Sequence, residues 1–441
     1  MTTPALRRGA APPQPLTGAF GVPYRFPYQL GVYMAVNAIS DAVLMVDGPD
    51  CVIRKAQWLQ GKHDWQATLL DVLGRHRIVP TLLHADRVVK SRGEDVVDRL
   101  RRIDQHRRAG LILVCAMPHV SIIGTQYDQL LRDAQPHTRA QLIEVPSLSL
   151  QGDWLHGYAE TLLALAGSLD LSGGMPAPER VAVVGHVMDR LEEDQRANVA
   201  ELRRLLEALS LDVVSVWLDG GTSQDLGAVR HAGTLISLPH GLRAARRIAA
   251  TTGARVVEAP VPLGIPRTRR LLLAVGRATG RLDAAEALVE RELALAVPRF
   301  ARIVDHLLAG RRIAYSGDPA TLGGMLQVAA EVGMEVVGLA SPAAASHAGD
   351  LADELGEPIE VAWQPRAAEL TSLHERVADA DLLIGDGHFL QAAVAPPDRF
   401  VELGFPSLRY HALHPAPTLG FSGWTCLMHR LTNATLARAA R

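Results

Sequence analysis

Cysteine, long apolar runs and excess charge of either sign are all scarce in this sequence. Three cysteines among 441 residues cannot build a disulfide framework, and they fit a reducing compartment in which thiols stay free. A net charge of -2 provides no general attraction for nucleic acid or an anionic membrane. No uninterrupted apolar run reaches the ~18 residues that span a bilayer. We therefore expect a cytoplasmic protein that binds neither nucleic acid nor a membrane.

The common nucleotide-binding motifs are also missing. The P-loop pattern G-x-x-x-x-G-K-[ST] is absent, and the nearest segment, LQGKHDW at 59–65, lacks the upstream glycine and the Ser or Thr. There is likewise no G-x-G-x-x-G fingerprint for a flavin or nicotinamide cofactor. The chain is therefore not expected to hydrolyse ATP itself or to draw electrons from a nicotinamide.

The N-terminus has no apolar core of the kind that a signal peptide needs. Arg7 and Arg8 are followed by Gly, Ala and Pro, so no secretory signal is expected. Residues 1–20 are rich in Ala, Pro, Thr and Arg without periodicity, which predicts a flexible arm.

The rest of the chain alternates strand-like and helical patterns, which is typical of an α/β fold with parallel sheets. Apolar runs begin at Ala42, Ile78, Leu111 and Leu142. Breaker residues at 171–180 precede a new strand, and a long helical pattern from Asp283 to about Leu308 leads to a third strand and turn. We predict three Rossmann-like, doubly wound parallel-sheet domains. The predicted units are the arm at 1–20, a cluster-binding domain at 21–172, a second domain at 173–280, and a third at 281–441 that includes the long helix and a C-terminal helix.

Two cysteines occupy comparable places in this pattern. Cys51 follows the apolar run 42–46 and a Gly-Pro break, and Cys115 closes the run 110–114. Ligands of open α/β sheets bind outside the carboxyl ends of the strands, so these thiols could meet in one crevice and hold a soft metal cluster. Free cysteine also packs often as a small buried hydrophobe, which is the alternative for both. Cys426 lies in a helical tail and is assigned to packing.

Taken together, these motifs resemble the nitrogenase component 1 superfamily, which includes nitrogenases, light-independent protochlorophyllide reductase, chlorophyllide reductase and cofactor-assembly scaffolds. The shared order of several weak motifs carries the resemblance, and the C-terminal part is most similar to the β-type subunit of the molybdenum-iron protein. The motifs lie at 30–51, 114–128, 145–162, 198–222, 257–272, 312–319, 379–388 and 404–424.

The resemblance implies that Cys51 and Cys115 ligate an iron-sulfur cluster at a subunit interface. The first cluster cysteine of the family would fall near Pro27 or Tyr28, and neither residue offers a thiolate. Asp47 stands where nitrogenase has a histidine and is either an additional ligand or a turn cap. A 4Fe-4S cluster shared across the interface is therefore favoured over an eight-iron P-type cluster.

The resemblance also implies a function. The chain is expected to be a catalytic-component subunit of an ATP-dependent, nitrogenase-like oxidoreductase, which receives electrons from a separate iron-sulfur ATPase and passes them to a substrate or second metallocofactor. Its partner would be a second component 1-type subunit, in a homodimer or an α2β2 heterotetramer. Asp50, Arg54 and Lys55 are candidate contacts for the ATPase, or merely solvated charges.

Two alternatives to this function remain open. The chain could be a scaffold on which a metallocluster is assembled, or a degenerate structural partner of a catalytic subunit. His119 and His156 could carry protons or play a purely structural role. No catalytic residue is assigned.

Overall fold

The computed structural model describes residues 23–83, 93–121, 124–147, 151–349 and 360–439. It contains three sheets, and every strand pair in them is parallel. The α/β class with parallel sheets is therefore confirmed. The expected arm at 1–20 lies outside the described residues.

The first sheet has the strand order β2-β1-β3-β4. Every residue of β1 and β3 is buried, because helices cover both faces of the sheet and the strands read as continuous apolar runs. The strands are Ala42–Asp47 (β1), Ile78–Pro80 (β2), Leu111–Ala116 (β3) and Gln141–Glu144 (β4). The helices of this part are Tyr28–Asn37 (α1), Cys51–Trp58 (α2), Gly93–His106 (α3), Pro118–Ser121 (α4), Tyr127–Ala134 (α5) and Trp154–Ser168 (α6).

The second sheet has the order β6-β5-β7-β8. Its first helix buries Val199, Leu202, Leu205 and Leu206, which recur at helical spacing. The strands are Ala177–Val184 (β5), Asp212–Val216 (β6), Ala232–Ser237 (β7) and Arg255–Glu258 (β8). The helices are Glu193–Glu207 (α7), Ser223–Gly227 (α8), Leu242–Thr252 (α9) and Ile265–Thr279 (α10).

The third sheet has five strands in the order β11-β10-β9-β12-β13. The long helical pattern before it is α11, which continues into a π-helical turn at Val304–Leu308. The strands are Arg312–Ser316 (β9), Glu335–Ser341 (β10), Val361–Trp363 (β11), Leu382–Gly385 (β12) and Phe400–Glu402 (β13). The helices are Leu282–Ile303 (α11), Pro319–Glu331 (α12), Ala367–Arg376 (α13), Gly387–Ala392 (α14) and Gly420–Ala439 (α15).

Helices α1 and α6 cross at facing glycines. A Cβ on Gly31 would overlap the carbonyl oxygen of Trp154, and one on Gly157 would overlap the carbonyl oxygen of Tyr28. Only glycine allows the two backbones to approach this closely. The crossing therefore sets where the tyrosines of α1 and the N-terminus of α6 lie.

None of the helices in the described ranges combines the length and the apolar composition that a membrane span requires.

Candidate functional site

The first candidate ligand, Cys51, is the first residue of helix α2. Strand β1 ends at Asp47, and a Gly-Pro-Asp turn then leads directly into the helix. The side chain is only partly buried. The N-terminus of a helix carries a partial positive charge and favours a negatively charged group such as a thiolate ligand. The thiol of Cys51 is thus accessible to a group that lies outside this chain.

Cys115 lies within strand β3 and is paired in register with Val46 of the neighbouring strand. It is 2% exposed, and its thiol contacts the carbonyl of Ala116 at 3.7 Å. Burial, with a smaller contribution from Glu144, raises the pKa of this thiol to about 12. The thiol is therefore protonated at neutral pH unless a metal displaces the proton, as metal coordination does.

Tyr33 of helix α1 is influenced electrostatically by both cysteines. Burial and then the charges of Cys115 and Cys51 raise the pKa of its phenol well above the usual range, so both thiols lie within electrostatic reach of it. The side chain is fully buried, and its hydroxyl has no hydrogen-bond partner among the described residues. A buried hydroxyl without an acceptor is unfavourable. The two thiols and this unsatisfied donor fit one side of a cluster whose sulfurs would accept the hydrogen bond.

Tyr28 is one of the two residues, with Pro27, near which the resemblance puts the first cluster cysteine. Its phenol is also within electrostatic reach of Cys115, since burial and then that thiol raise its pKa above the usual range. The hydroxyl donates a hydrogen bond to the carbonyl of Pro146. Of the predicted positions, only Cys51 and Cys115 therefore offer thiols in this part of the chain.

Asp47 is fully buried at the end of β1. The Thr81 hydroxyl donates to one carboxylate oxygen at 2.6 Å, and the Tyr127 hydroxyl donates to the other. The Thr81 oxygen also accepts the Gly48 N–H at 3.0 Å. The carboxylate thus links the end of β1 to the residue that follows β2 and to the start of α5, and each carboxylate oxygen has more than one acceptor position.

An open groove runs along helix α2, the helix that Cys51 begins, and Arg54 and Lys55 line it. Arg54 is exposed and Lys55 half-buried, while Asp50, on the other side of the cysteine, is exposed. The indole of Trp58 stacks on the His388 ring, with 5.8 Å between centroids, at one wall of the groove. These side chains are available to a docking partner next to Cys51.

Cys426 is remote from this arrangement in the fold. It lies half-buried on the C-terminal helix α15, where burial raises the pKa of its thiol. The side chain of His119 lies outside the described residues.

The structure also contains a buried polar cavity that the sequence did not indicate. The cavity has a volume of about 100 Å³ and lies between residues of all three sheet regions. Burial raises the pKa of Asp189 to about 7 and lowers the pKa of His186 to about 4. Both residues line this cavity, together with Trp154, His240 and Asp318. No spacing in the sequence relates residues that lie in such different parts of the chain.

The sequence also did not reveal a second group of side chains. The group consists of Asp153, His156 and His347, whose possible metal-ligand atoms all lie within 4.8 Å of one another. The D-x-x-H spacing is visible in the sequence. The third residue lies 191 positions after His156, so only the folded chain brings it there.

Comparison with known proteins supports the resemblance. The family model described as nitrogenase component 1 type oxidoreductase matches residues 28–436. The nitrogenase vanadium-iron protein beta chain of Trichormus variabilis is 25% identical over 371 residues, which cover 78% of this chain and 79% of its own. A light-independent protochlorophyllide reductase subunit of Methylobacterium radiotolerans is 30% identical over 207 residues, covering 45% of this chain and 37% of its own.

Among solved structures, a chain described as "Nitrogenase Cp1 at pH 6.5" has the same fold. The TM-score is 0.80, with 99% of this chain and 96% of that chain covered at 17% sequence identity. The three-sheet architecture is thus that of a nitrogenase component 1 protein.

Proposed function

The chain belongs to the nitrogenase component 1-type oxidoreductases, and we propose that it is a catalytic-component subunit of an ATP-dependent, nitrogenase-like reductase. In this proposal Cys51 and Cys115 hold one side of an iron-sulfur cluster shared across a subunit interface. The cluster, when bound, would take up electrons from a separate iron-sulfur ATPase and release them to a substrate or second metallocofactor.

The observation that carries this proposal is the unsatisfied hydroxyl of Tyr33, a buried phenol whose pKa responds to the charge of both thiols. Packing alone explains a buried cysteine such as Cys115, but it does not explain a fully buried hydroxyl donor without an acceptor. Sulfur atoms of a cluster would supply the acceptor. Hydrogen bonds of this kind also tune a cluster's reduction potential.

Two thiols leave a four-iron cluster incompletely ligated, so the proposal requires a second component 1-type subunit. The partly exposed position of Cys51 favours ligands that approach from that subunit. A homodimer would supply four cysteines, and an α2β2 assembly would supply ligands from a different chain. A 4Fe-4S cluster is preferred, because neither Pro27 nor Tyr28, near which a further cysteine would fall, offers a thiolate.

The ATPase is proposed to dock beside Cys51. The sequence has no P-loop of its own, so ATP hydrolysis must come from another protein. Arg54 and Lys55 line the groove next to the cluster ligand, and Asp50 precedes that ligand at the surface. These three residues are the proposed contacts.

A second candidate function is a structural partner that stabilises a catalytic subunit without binding a cluster. Two features favour it: neither Pro27 nor Tyr28 offers a thiolate, and the Asp47 carboxylate is already engaged by two hydroxyls. Iron content separates the two candidates.

The test is metal analysis of the complex purified without oxygen. Iron and sulfide should co-purify with the wild-type protein, and Cys51→Ser and Cys115→Ser should each lose most of the iron. Cys426→Ser is the matched control and should retain it. Electron paramagnetic resonance of the reduced complex reports the cluster type. Equal iron in all three variants would rule out these ligands, and an iron-free complex that supports partner activity would favour the structural role.

A further inference from the structure

A second set of metal-binding side chains lies away from the two thiols. Asp153 and His156 stand at the N-terminus of helix α6, and His347 ends a short 3₁₀ turn, Ala345–His347, that follows β10. Asp153 Oδ1, His156 Nδ1 and His347 Nε2 form a triangle in which each pair of atoms is 2.9 Å apart. Two imidazole nitrogens and one carboxylate oxygen therefore lie close enough together to share one metal ion.

Helix capping accounts for only part of this arrangement. Asp153 Oδ1 accepts the backbone N–H groups of Leu155 at 3.1 Å and His156 at 3.2 Å, as an N-cap residue does. The backbone N–H of Asp153 faces His156 Nδ1 at 3.3 Å. The cap needs only these residues, and nothing in it requires a second imidazole from a distant part of the chain.

The position of the carboxylate is fixed from the opposite side as well. Asp153 Oδ2 accepts the Ala344 N–H at 2.8 Å and contacts Gln364 Nε2 at 3.5 Å. These contacts hold Oδ2, so that Oδ1, which also accepts the two cap N–H groups, faces the two imidazoles. Such outer contacts are a usual feature of metal sites, because they hold the ligand in place before the ion binds.

Proton counting favours a cation at the centre of the triangle. If both imidazoles are neutral and His156 Nδ1 accepts the Asp153 N–H, only one hydrogen, on His347 Nε2, remains to serve three close contacts. A divalent cation that replaces this hydrogen binds His347 Nε2 and Asp153 Oδ1, and it binds His156 Nδ1 once the 3.3 Å contact with the Asp153 N–H is released.

The dimensions of the triangle indicate the class of metal. Ligand atoms on one face of an octahedron with bonds of about 2.1 Å lie about 3.0 Å apart, while those of a tetrahedral site lie about 3.3 Å apart. Imidazole and carboxylate ligands suit first-row transition cations such as Fe²⁺ and Zn²⁺, and a facial set of two histidines and one carboxylate leaves positions open.

Exposure gives the ion a route to the site. The Asp153 side chain is 1% exposed, His347 13% and His156 32%. The carboxylate thus forms the floor and His156 the rim. His347 also borders a pocket of about 440 Å³ that His240 and Arg267 help to line.

We propose that Asp153, His156 and His347 bind one divalent transition-metal cation, at a site separate from Cys51 and Cys115. The cation joins the N-terminus of α6, beside the first sheet, to the turn that follows β10 in the third sheet. Its open coordination positions face solvent and can take water or an anionic ligand.

The experiment uses the full chain in its complex, with Cys51→Ser and Cys115→Ser combined so that no thiol of the first site binds the probe. After chelation and dialysis, Zn²⁺ alone is titrated by calorimetry, and the loaded protein is examined by X-ray absorption. We expect one Zn²⁺ per chain in a shell of nitrogen and oxygen at about 2.0–2.1 Å, with imidazole scattering and no sulfur at about 2.3 Å.

Three variants test the ligands in the same background. Asp153→Asn preserves a good N-cap residue, so it should fold normally and still weaken Zn²⁺ binding at least about 100-fold. His347→Gln should do the same, while His414→Gln, an exposed histidine elsewhere, should bind like the parent. Absence of binding in the thiol-free parent, a sulfur shell, or equal affinity in Asp153→Asn and the parent would each overturn the proposal. Thermal unfolding of each variant before loading verifies that the compared proteins are folded.

Discussion

Substitution of Gly157 by Ala tests the helix crossing that positions both candidate sites. The added Cβ would overlap the carbonyl oxygen of Tyr28 and lie 3.0 Å from its carbonyl carbon, where ordinary contact begins near 3.4 Å. These atoms belong to the backbone of α1, so no side chain can rotate away. The two helices must separate, and overpacking of this kind costs typically 1–3 kcal/mol and occasionally more. We expect a loss of about 3 kcal/mol.

The same helix provides a matched control. Gly167 is exposed near the end of α6, and a Cβ there would meet only the Arg247 side chain, at 3.9 Å. Alanine in an unobstructed helical position stabilises a protein by about 0.5–1 kcal/mol relative to glycine. Gly167→Ala should therefore raise the unfolding midpoint, whereas Gly157→Ala should lower it.

The assay is urea unfolding followed by circular dichroism, with both variants and the wild type at one protein concentration. Opposite shifts of the midpoint support the crossing. If Gly157→Ala unfolds at the wild-type urea concentration, or if both variants are destabilised equally, the close approach of α1 and α6 is refuted.

Three more predictions concern the buried carboxyl of Asp189, the buried hydroxyl of Tyr33, and the charges of Arg54 and Lys55. Burial raises the pKa of Asp189 from 3.8 to about 7, so its stabilising contribution is complete below pH about 4 and is lost as the pH rises to about 7. The free energy of unfolding of Asp189→Asn should therefore rise relative to that of the wild type across that range, by on the order of 4 kcal/mol. If urea titrations give the same difference in unfolding free energy between the two proteins at every pH, this prediction is wrong. Tyr33→Phe in cluster-free protein should be neutral or stabilising by about 1 kcal/mol, because it removes an unsatisfied hydroxyl. Tyr158→Phe should instead cost about 1–3 kcal/mol, because the Tyr158 hydroxyl is hydrogen-bonded to the backbone of His186 and Met188. Equal changes of the melting temperature in the two variants would refute the distinction. Charge reversal by Arg54→Glu and Lys55→Glu should slow ATP-dependent reduction of the complex by the proposed iron-sulfur ATPase while leaving the iron content unchanged. Unaltered stopped-flow rates at low salt would place the docking surface elsewhere.

The strands and helices near the first site could be predicted because their signals are local. The run Ala42–Val46 and the run that ends at Cys115 are apolar without alternation, which is how a strand buried on both faces reads. The two runs pair directly in one sheet. The order of motifs along the chain was also enough to recognise the family, since such an order is a property of the sequence alone.

Tertiary structure decided which side chains meet. The sequence placed Cys115 at a strand end, but it could not reveal that this thiol is buried within the sheet or that the buried Tyr33 hydroxyl has no hydrogen-bond partner among the described residues. It offered no relation between His156 and His347, because hydrophobic periodicity encodes the face of one helix or strand and not the distance between elements far apart in the chain. That distance depends on how three sheets pack against one another, and in particular on the approach of α1 and α6 that two glycines permit.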